Sequence, residues 1–128
     1  MANPITMNYD GLISGTEPAP FVAAGTLRKL GTAATYARGT ILAKSSGLAG
    51  DEKLVILGTT ADTSETLTAY AILAEDTEIG TSADVNAPVY TQGCFDPDKL
   101  TVDTGYTITE DDKDALRNGG VFLKPVLS

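Results

Sequence analysis

The side chains here that could carry chemistry are almost all carboxylates. The 128 residues contain no histidine and no tryptophan, and cysteine occurs once, at Cys94. Without histidine, the commonest general base near neutral pH and the commonest metal ligand are both missing. Ser-His and Cys-His nucleophile arrangements are excluded within one chain. Most zinc and non-haem iron sites lose their usual ligand as well. Cys94 lies in an apolar stretch with no basic neighbour in sequence, which favours a small buried hydrophobe over a reactive thiol. A single cysteine cannot form an intrachain disulfide, so stability does not depend on an oxidising compartment.

The carboxylates gather in three places. Glu110, Asp111, Asp112 and Asp114 fall at the start of a helical pattern. Neighbours in sequence point in different directions on a helix, so helix-start chemistry explains them better than an active site does. Glu75, Asp76, Glu78 and Asp84 could hold a cation, but their spacing is not that of an EF-hand loop, and a solvated acidic connector is the better reading. Asp96 and Asp98 flank Pro97 and read as turn residues. No glycine-rich phosphate loop, basic patch with interleaved aromatics or internal repeat is present. No cofactor and no metal site is expected.

The formal net charge is −8. Residues 1–64 hold five Lys/Arg and five Asp/Glu, whereas residues 65–128 hold four and twelve, so the whole excess lies in the second half. Such a chain does not neutralise phosphates, which argues against nucleic acid and anionic membrane surfaces as partners. Residues 1–15 show no basic segment followed by an apolar one, so no signal peptide is expected. No apolar run approaches the roughly 18 residues a spanning helix needs.

The elements that must position these residues are mostly strands. Thr, a strand-favouring residue, occurs 18 times. The organising pair is Ala69–Asp76 and Ala87–Phe95, two apolar segments joined by a polar connector over Thr77–Asn86. Two further strands are expected around Phe21–Leu27 and Gly39–Lys44, with a small-residue stretch, Gly31–Thr35, between them. Gly39 permits a bulge or a positive φ. Leu54–Leu57 is apolar on both faces, which implies burial on both sides, within a barrel-like core or against another subunit. Leu100–Val102 reads as a short edge strand. The one convincing helix follows Thr109, which can cap it, and ends at Asn118-Gly119. Val121–Val126 closes the chain as a strand, with Pro125 at its end. Met1–Pro20 is polar and aperiodic, and Pro4, Pro18 and Pro20 deny it a helix. It reads as an extended arm that could add to the sheet edge of a partner through Ile5, Met7, Tyr9, Leu12 and Ile13. The expected fold is mainly β (α+β): a small barrel or tulip-like single domain over residues 21–128, with one C-terminal helix and an N-terminal arm over residues 1–20. Composition favours a binding or structural module over an enzyme.

Three stretches together resemble one family. Arg38–Lys44 (RGTILAK), Tyr70–Asp76 (YAILAED) with Ala87–Phe95 (APVYTQGCF), and Leu116–Leu123 (LRNGGVFL) are similar, in order and spacing over about residues 20–124, to segments of lambda-type head decoration proteins of tailed phages and prophages. That resemblance implies a non-enzymatic virion protein, made in the bacterial cytoplasm. It would bind the outside of an expanded capsid as trimers at three-fold and quasi-three-fold positions. There it would clamp neighbouring major capsid protein subunits against the pressure of packaged DNA, with the arm pairing to a capsid strand. It also gives Leu54, Val55, Ile56 and Leu57 a role in a trimer contact. The rival readings are a head–tail connector, a tail tube subunit, or a small metal-dependent hydrolase using the acidic half.

Overall fold

A computed structural model of the chain describes residues 12–15 and 20–124. Nine strands and one α-helix follow in order: β1 (Ile13–Gly15), β2 (Phe21–Leu27), β3 (Ala34–Tyr36), β4 (Ile41–Ser46), β5 (Leu54–Ile56), β6 (Thr66–Leu73), β7 (Thr77–Ile79), β8 (Val85–Phe95), α1 (Glu110–Gly119) and β9 (Val121–Leu123). Five strands close into a barrel in the order β2-β5-β4-β6-β8, with β8 returning to β2. The mainly-β barrel with a single helix is the expected class.

β8 is the hub. It pairs with β2 along its length, with β6 through Ile72↔Tyr90 and Leu73↔Val89, and at its far end with β1 on one side and β9 on the other. Closure between β2 and β5 is thin: one parallel pairing, Leu27↔Leu54, with the Arg28 N–H donating to the Leu54 carbonyl at 2.9 Å. The organising pair of strands does touch, but over two residue pairs; β8 spends most of its length on β2.

Alternation along the strands sorts the apolar residues into two layers. Leu27, Leu42, Leu54, Ala71, Leu73, Ala87 and Val89 meet inside the barrel, where Ile79 from β7 joins them. Ile41, Ala43, Val55, Ala69, Ile72 and Tyr90 face the other way and pack with Leu12, Phe95, Leu116 and Val121. One extra residue on β6 sets this arrangement. Leu42 pairs with Ala71 and Ala43 with Ala69, so Tyr70 has no partner of its own, and the period-2 phase resets there. Ala69 therefore lies in the outer layer and Ala71 in the inner.

The strand at Phe21–Leu27 keeps its expected bounds. The Leu54–Leu57 run is buried on both faces within this chain: Leu54 points into the barrel, and Val55 and Leu57 into the second layer. Of the two readings left open for that run, the barrel core is the one observed. The helix has its expected start and end. Thr109 and Asp112 form a reciprocal capping box, and Gly120 closes the helix in the left-handed conformation. Gly39 takes the positive φ foreseen for it, at +98°.

Two expectations need correction. The connector Thr77–Asn86 contains a strand, β7, which pairs with β3. Both are three residues long, too short for a readable period, and exist by pairing with each other. Leu100–Val102 contributes one bridge, Thr40↔Thr101, and no strand. The turn expected at Asp96-Pro97-Asp98 is present, as a single turn of 3-10 helix over Pro97–Lys99 capped by the Asp96 carboxylate. Leu12 is fully buried in the second layer and Ile13 pairs with Phe95, so residues 12–15 pack with the domain. Pro125 lies outside the described residues.

Candidate functional site

Several of the carboxylates that could have carried chemistry are engaged within the fold. Asp112 accepts from the Thr109 N–H at 3.0 Å and from the Tyr106 hydroxyl. That contact pushes the Tyr106 phenol above its ordinary range. Asp114 pairs with Arg117, and Glu110 with Lys113 at 3.3 Å. Asp76 accepts from the Arg38 N–H at 2.8 Å. Asp84 accepts from the Lys29 N–H and pairs with Lys53 at 2.5 Å, which lowers its pKa. Among the described residues no three Cys, Asp or Glu side chains lie together in a way that could hold a metal ion.

The most developed polar cluster is Arg28 with Asp51, Glu65 and Ser45. Arg28 donates to both oxygens of Asp51 at 2.9 and 3.0 Å and to Glu65 at 2.6 Å. Glu65 also accepts from the Asp62 N–H at 3.0 Å and from the Ser45 hydroxyl. The Asp62 N–H, Ser45 and Arg28 together hold the Glu65 carboxyl at about 2, and Arg28 above all holds Asp51 at about 2. The cluster ties the end of β2 to the β4–β5 turn and the loop before β6. It braces the barrel beside its thinnest seam, and it binds its own groups to one another. A second knot joins strands at the other side: the Arg38 guanidinium donates to the Ala74 carbonyl at 2.9 Å and to the Tyr90 hydroxyl at 2.7 Å.

Of the residues singled out from sequence, those described pack within this chain, and Leu12, Val55 and Leu57 share its second apolar layer. Leu12 is 1% exposed and lies under the barrel wall, with its carbonyl accepting from the Asp96 N–H at 2.8 Å. Ile13 is half-buried beside it. Ile5, Met7 and Tyr9 lie outside the described residues. Leu54, Val55 and Leu57 are buried in this chain's own layers, and Ile56 is half-buried.

The surface that stands out instead is the outer face of β2 and the adjoining part of β8. Phe21 is 59% exposed and Val22 48%. Ala24 is exposed beside them, and Pro88, the partner of Ala24 on β8, is half-buried. No charged side chain occurs in Pro20–Leu27 or in Val85–Phe95. Val22, Ala23, Ala24, Asn86, Ala87 and Pro88 line a shallow hollow of about 390 Å³ on this face. Such a surface can do no acid–base or nucleophilic chemistry; it can bind apolar groups. Sequence reasoning passed over it because a strand with apolar residues on successive positions reads as core. No sequence signal separates it from the core, because the core-bearing stretches 54–61 and 66–74 are uncharged as well.

Comparison with curated proteins gives no match. The family described as bacteriophage lambda head decoration protein D matches over residues 6–121. That span covers every element from β1 to the first residue of β9, and so both apolar layers, the bulged β6 and the capped helix. This chain belongs to the bacteriophage lambda head decoration protein D family, a structural family whose place is the phage capsid.

Proposed function

We propose that this protein binds the outer surface of the expanded phage head as trimers at three-fold and quasi-three-fold positions. It bridges neighbouring major capsid protein subunits and stabilises the shell against the pressure of packaged DNA. The observation that carries this reading is the family match over residues 6–121. The fold is consistent with it: the carboxylates described above serve as caps and braces, and the exposed apolar residues of β2 form a face rather than a cleft.

The work is done by geometry and number. Ile5, Met7 and Tyr9 alternate with polar residues, the pattern of a strand that presents one apolar face. Added to a capsid sheet edge, such a segment gains main-chain hydrogen bonds for affinity and side-chain pockets for register. One arm binds weakly. Three arms on one trimer convert later binding events into intramolecular ones, which raises avidity by roughly a hundredfold or more when the spacing fits. An edge exposed only after shell expansion would make binding follow maturation.

The test is co-sedimentation with heads of the encoding phage, in expanded and unexpanded form, using full-length chain and a chain lacking residues 1–10. Saturable binding to expanded heads alone, lost with the arm, is the expected result. Absence of binding to either form overturns the reading.

A further inference from the structure

We propose that the outer face of β2, with the adjoining part of β8, is where one copy of this chain meets the next. The proposal rests on the trimer reading above and names a surface for it; Leu54, Val55 and Leu57 are buried in this chain's own layers.

Three observations point to β2 as the contact strand. The first is the free edge of β2. β8 pairs with β2 from Phe21 to Leu27, but on the other side β5 reaches it at Leu27 alone. Among the described residues, the edge from Phe21 to Thr26 has no partner strand. Exposed edges are ordinarily blunted by lysine, proline or inward-pointing charge. This one carries none of these; its one irregularity is a shift in register between Phe21 and Val22. An apolar, unguarded edge of six residues associates unless something covers it.

The second is exposed apolar area. Of the four large hydrophobic side chains that stand out from the surface among the described residues, Phe21 and Val22 are adjacent on β2. The other two are isolated: Leu48 sits alone at a turn, and Lys44 lies over the Tyr70 ring at 5.1 Å. The hollow beside Val22, bounded by Ala24 and Pro88, has room for an aromatic ring. Phe21 of a neighbouring copy is a group of that size presented next to the same surface.

The third is charge, and it selects the occupant. Two copies of a chain with a net charge of −8 repel. They meet at least cost where neither presents a charge. A partner of opposite sign would gain most at the acidic surface and nothing from an uncharged face. Between like-charged copies, the uncharged face is the favourable contact. Phe21 on one copy and the hollow on the next are different parts of the surface, so the contact is head-to-tail and closes into a ring when the rotation allows.

The experiment is size-exclusion chromatography with light scattering on the full chain over a range of concentrations. The comparison set is wild type, the double variant Phe21→Glu/Val22→Glu, the single variant Ala24→Glu and the control Leu48→Glu. Circular dichroism checks that each is folded. Ala24 is already exposed, so its variant keeps the test open if the double variant unfolds. The expected result is an oligomer for wild type and Leu48→Glu. The folded face variants should run as the single 13.3 kDa chain, with self-association weakened roughly a hundredfold or more. A wild type that is monomeric throughout, or face variants that keep the wild-type mass, overturns the proposal. Head binding separates this from the decoration reading, because a monomeric wild type that still saturates expanded heads sinks only the interface.

Discussion

Leu12 sits between two roles, and a stability measurement distinguishes them. It belongs to the sequence expected to form the arm, yet it packs with Ile41, Phe95 and Leu116 at 1% exposure. Truncating a leucine buried to that degree to alanine removes its transfer free energy and leaves a cavity, at a cost of about 3 kcal/mol. At an unfolding entropy of about 2.1 cal/mol/K per residue, 128 residues give about 270 cal/mol/K, so Leu12→Ala should lower Tm by about 11 °C. Removing residues 1–10 leaves Leu12, Ile13 and the Asp96–Leu12 hydrogen bond in place, and should leave Tm nearly unchanged. Removing residues 1–19 takes away Leu12 and β1 together and should cost at least as much as Leu12→Ala. Thermal melts by circular dichroism read all three. At 20 °C, Leu12→Ala should still bind expanded heads while the chain lacking residues 1–10 should not. A Leu12→Ala melt within about 2 °C of wild type would refute the placement of Leu12 in the core. A loss of stability in the shorter truncation as large as that of Leu12→Ala would refute the division between anchor and arm.

Other perturbations probe the scaffold. Glu65 and Asp51 hold their carboxyls at about 2 in the fold, below their ordinary values of 4.5 and 3.8. The unfolded chain therefore takes up protons first as pH falls. The stability they contribute is fully present above about pH 4.5 and is lost between there and about pH 2. Melts from pH 7 to pH 2.5 should show this loss, and Glu65→Gln should flatten it while lowering Tm at pH 7. Thr109→Ala deletes one side of the capping box and should cost about 1 kcal/mol, read by urea denaturation with an unchanged m-value. Gly39→Ala places a Cβ 2.8 Å from the Lys99 carbonyl oxygen at a φ of +98°, and should cost about 2 kcal/mol by the same assay.

The parts of the fold that could be read from sequence are those with a local cause. α1 announces itself through Thr109, the three acids after it and the Gly119-Gly120 stop, each of which acts within one turn of its own position. β2 and β8 are long enough for β propensity to show. β3 and β7 are not: neither has a reason to be a strand until the other lies beside it, and they are 41 residues apart at their nearest register pair, Tyr36↔Thr77. The residues on the outer face of β2 were hidden for a different reason. Hydropathy records whether a side chain favours burial, and Val22 in β2 and Val89 in β8 give the same value. The fold covers Val89 with the barrel and leaves Val22 uncovered.

The two proposed contacts share one strand, and this makes their independence testable. β1, which carries the arm's anchor, pairs with the Cys94–Phe95 end of β8, while the exposed face of β2 is registered on Val85–Gln92 of the same strand. β8 therefore holds the point where the arm leaves the domain at a set distance from the face that meets the next copy. Three arms on a ring gain avidity only when their anchors are spaced to match the shell, and spacing through a single continuous strand fixes that distance without any moving part. Weakening the face with Ala24→Glu should thus leave each arm intact and still lower head affinity toward that of one arm, by roughly a hundredfold. Head binding titrated at protein concentrations where wild type is a ring measures it. Equal affinities for the folded variant and the wild type would separate the ring from decoration and leave the arm to act alone.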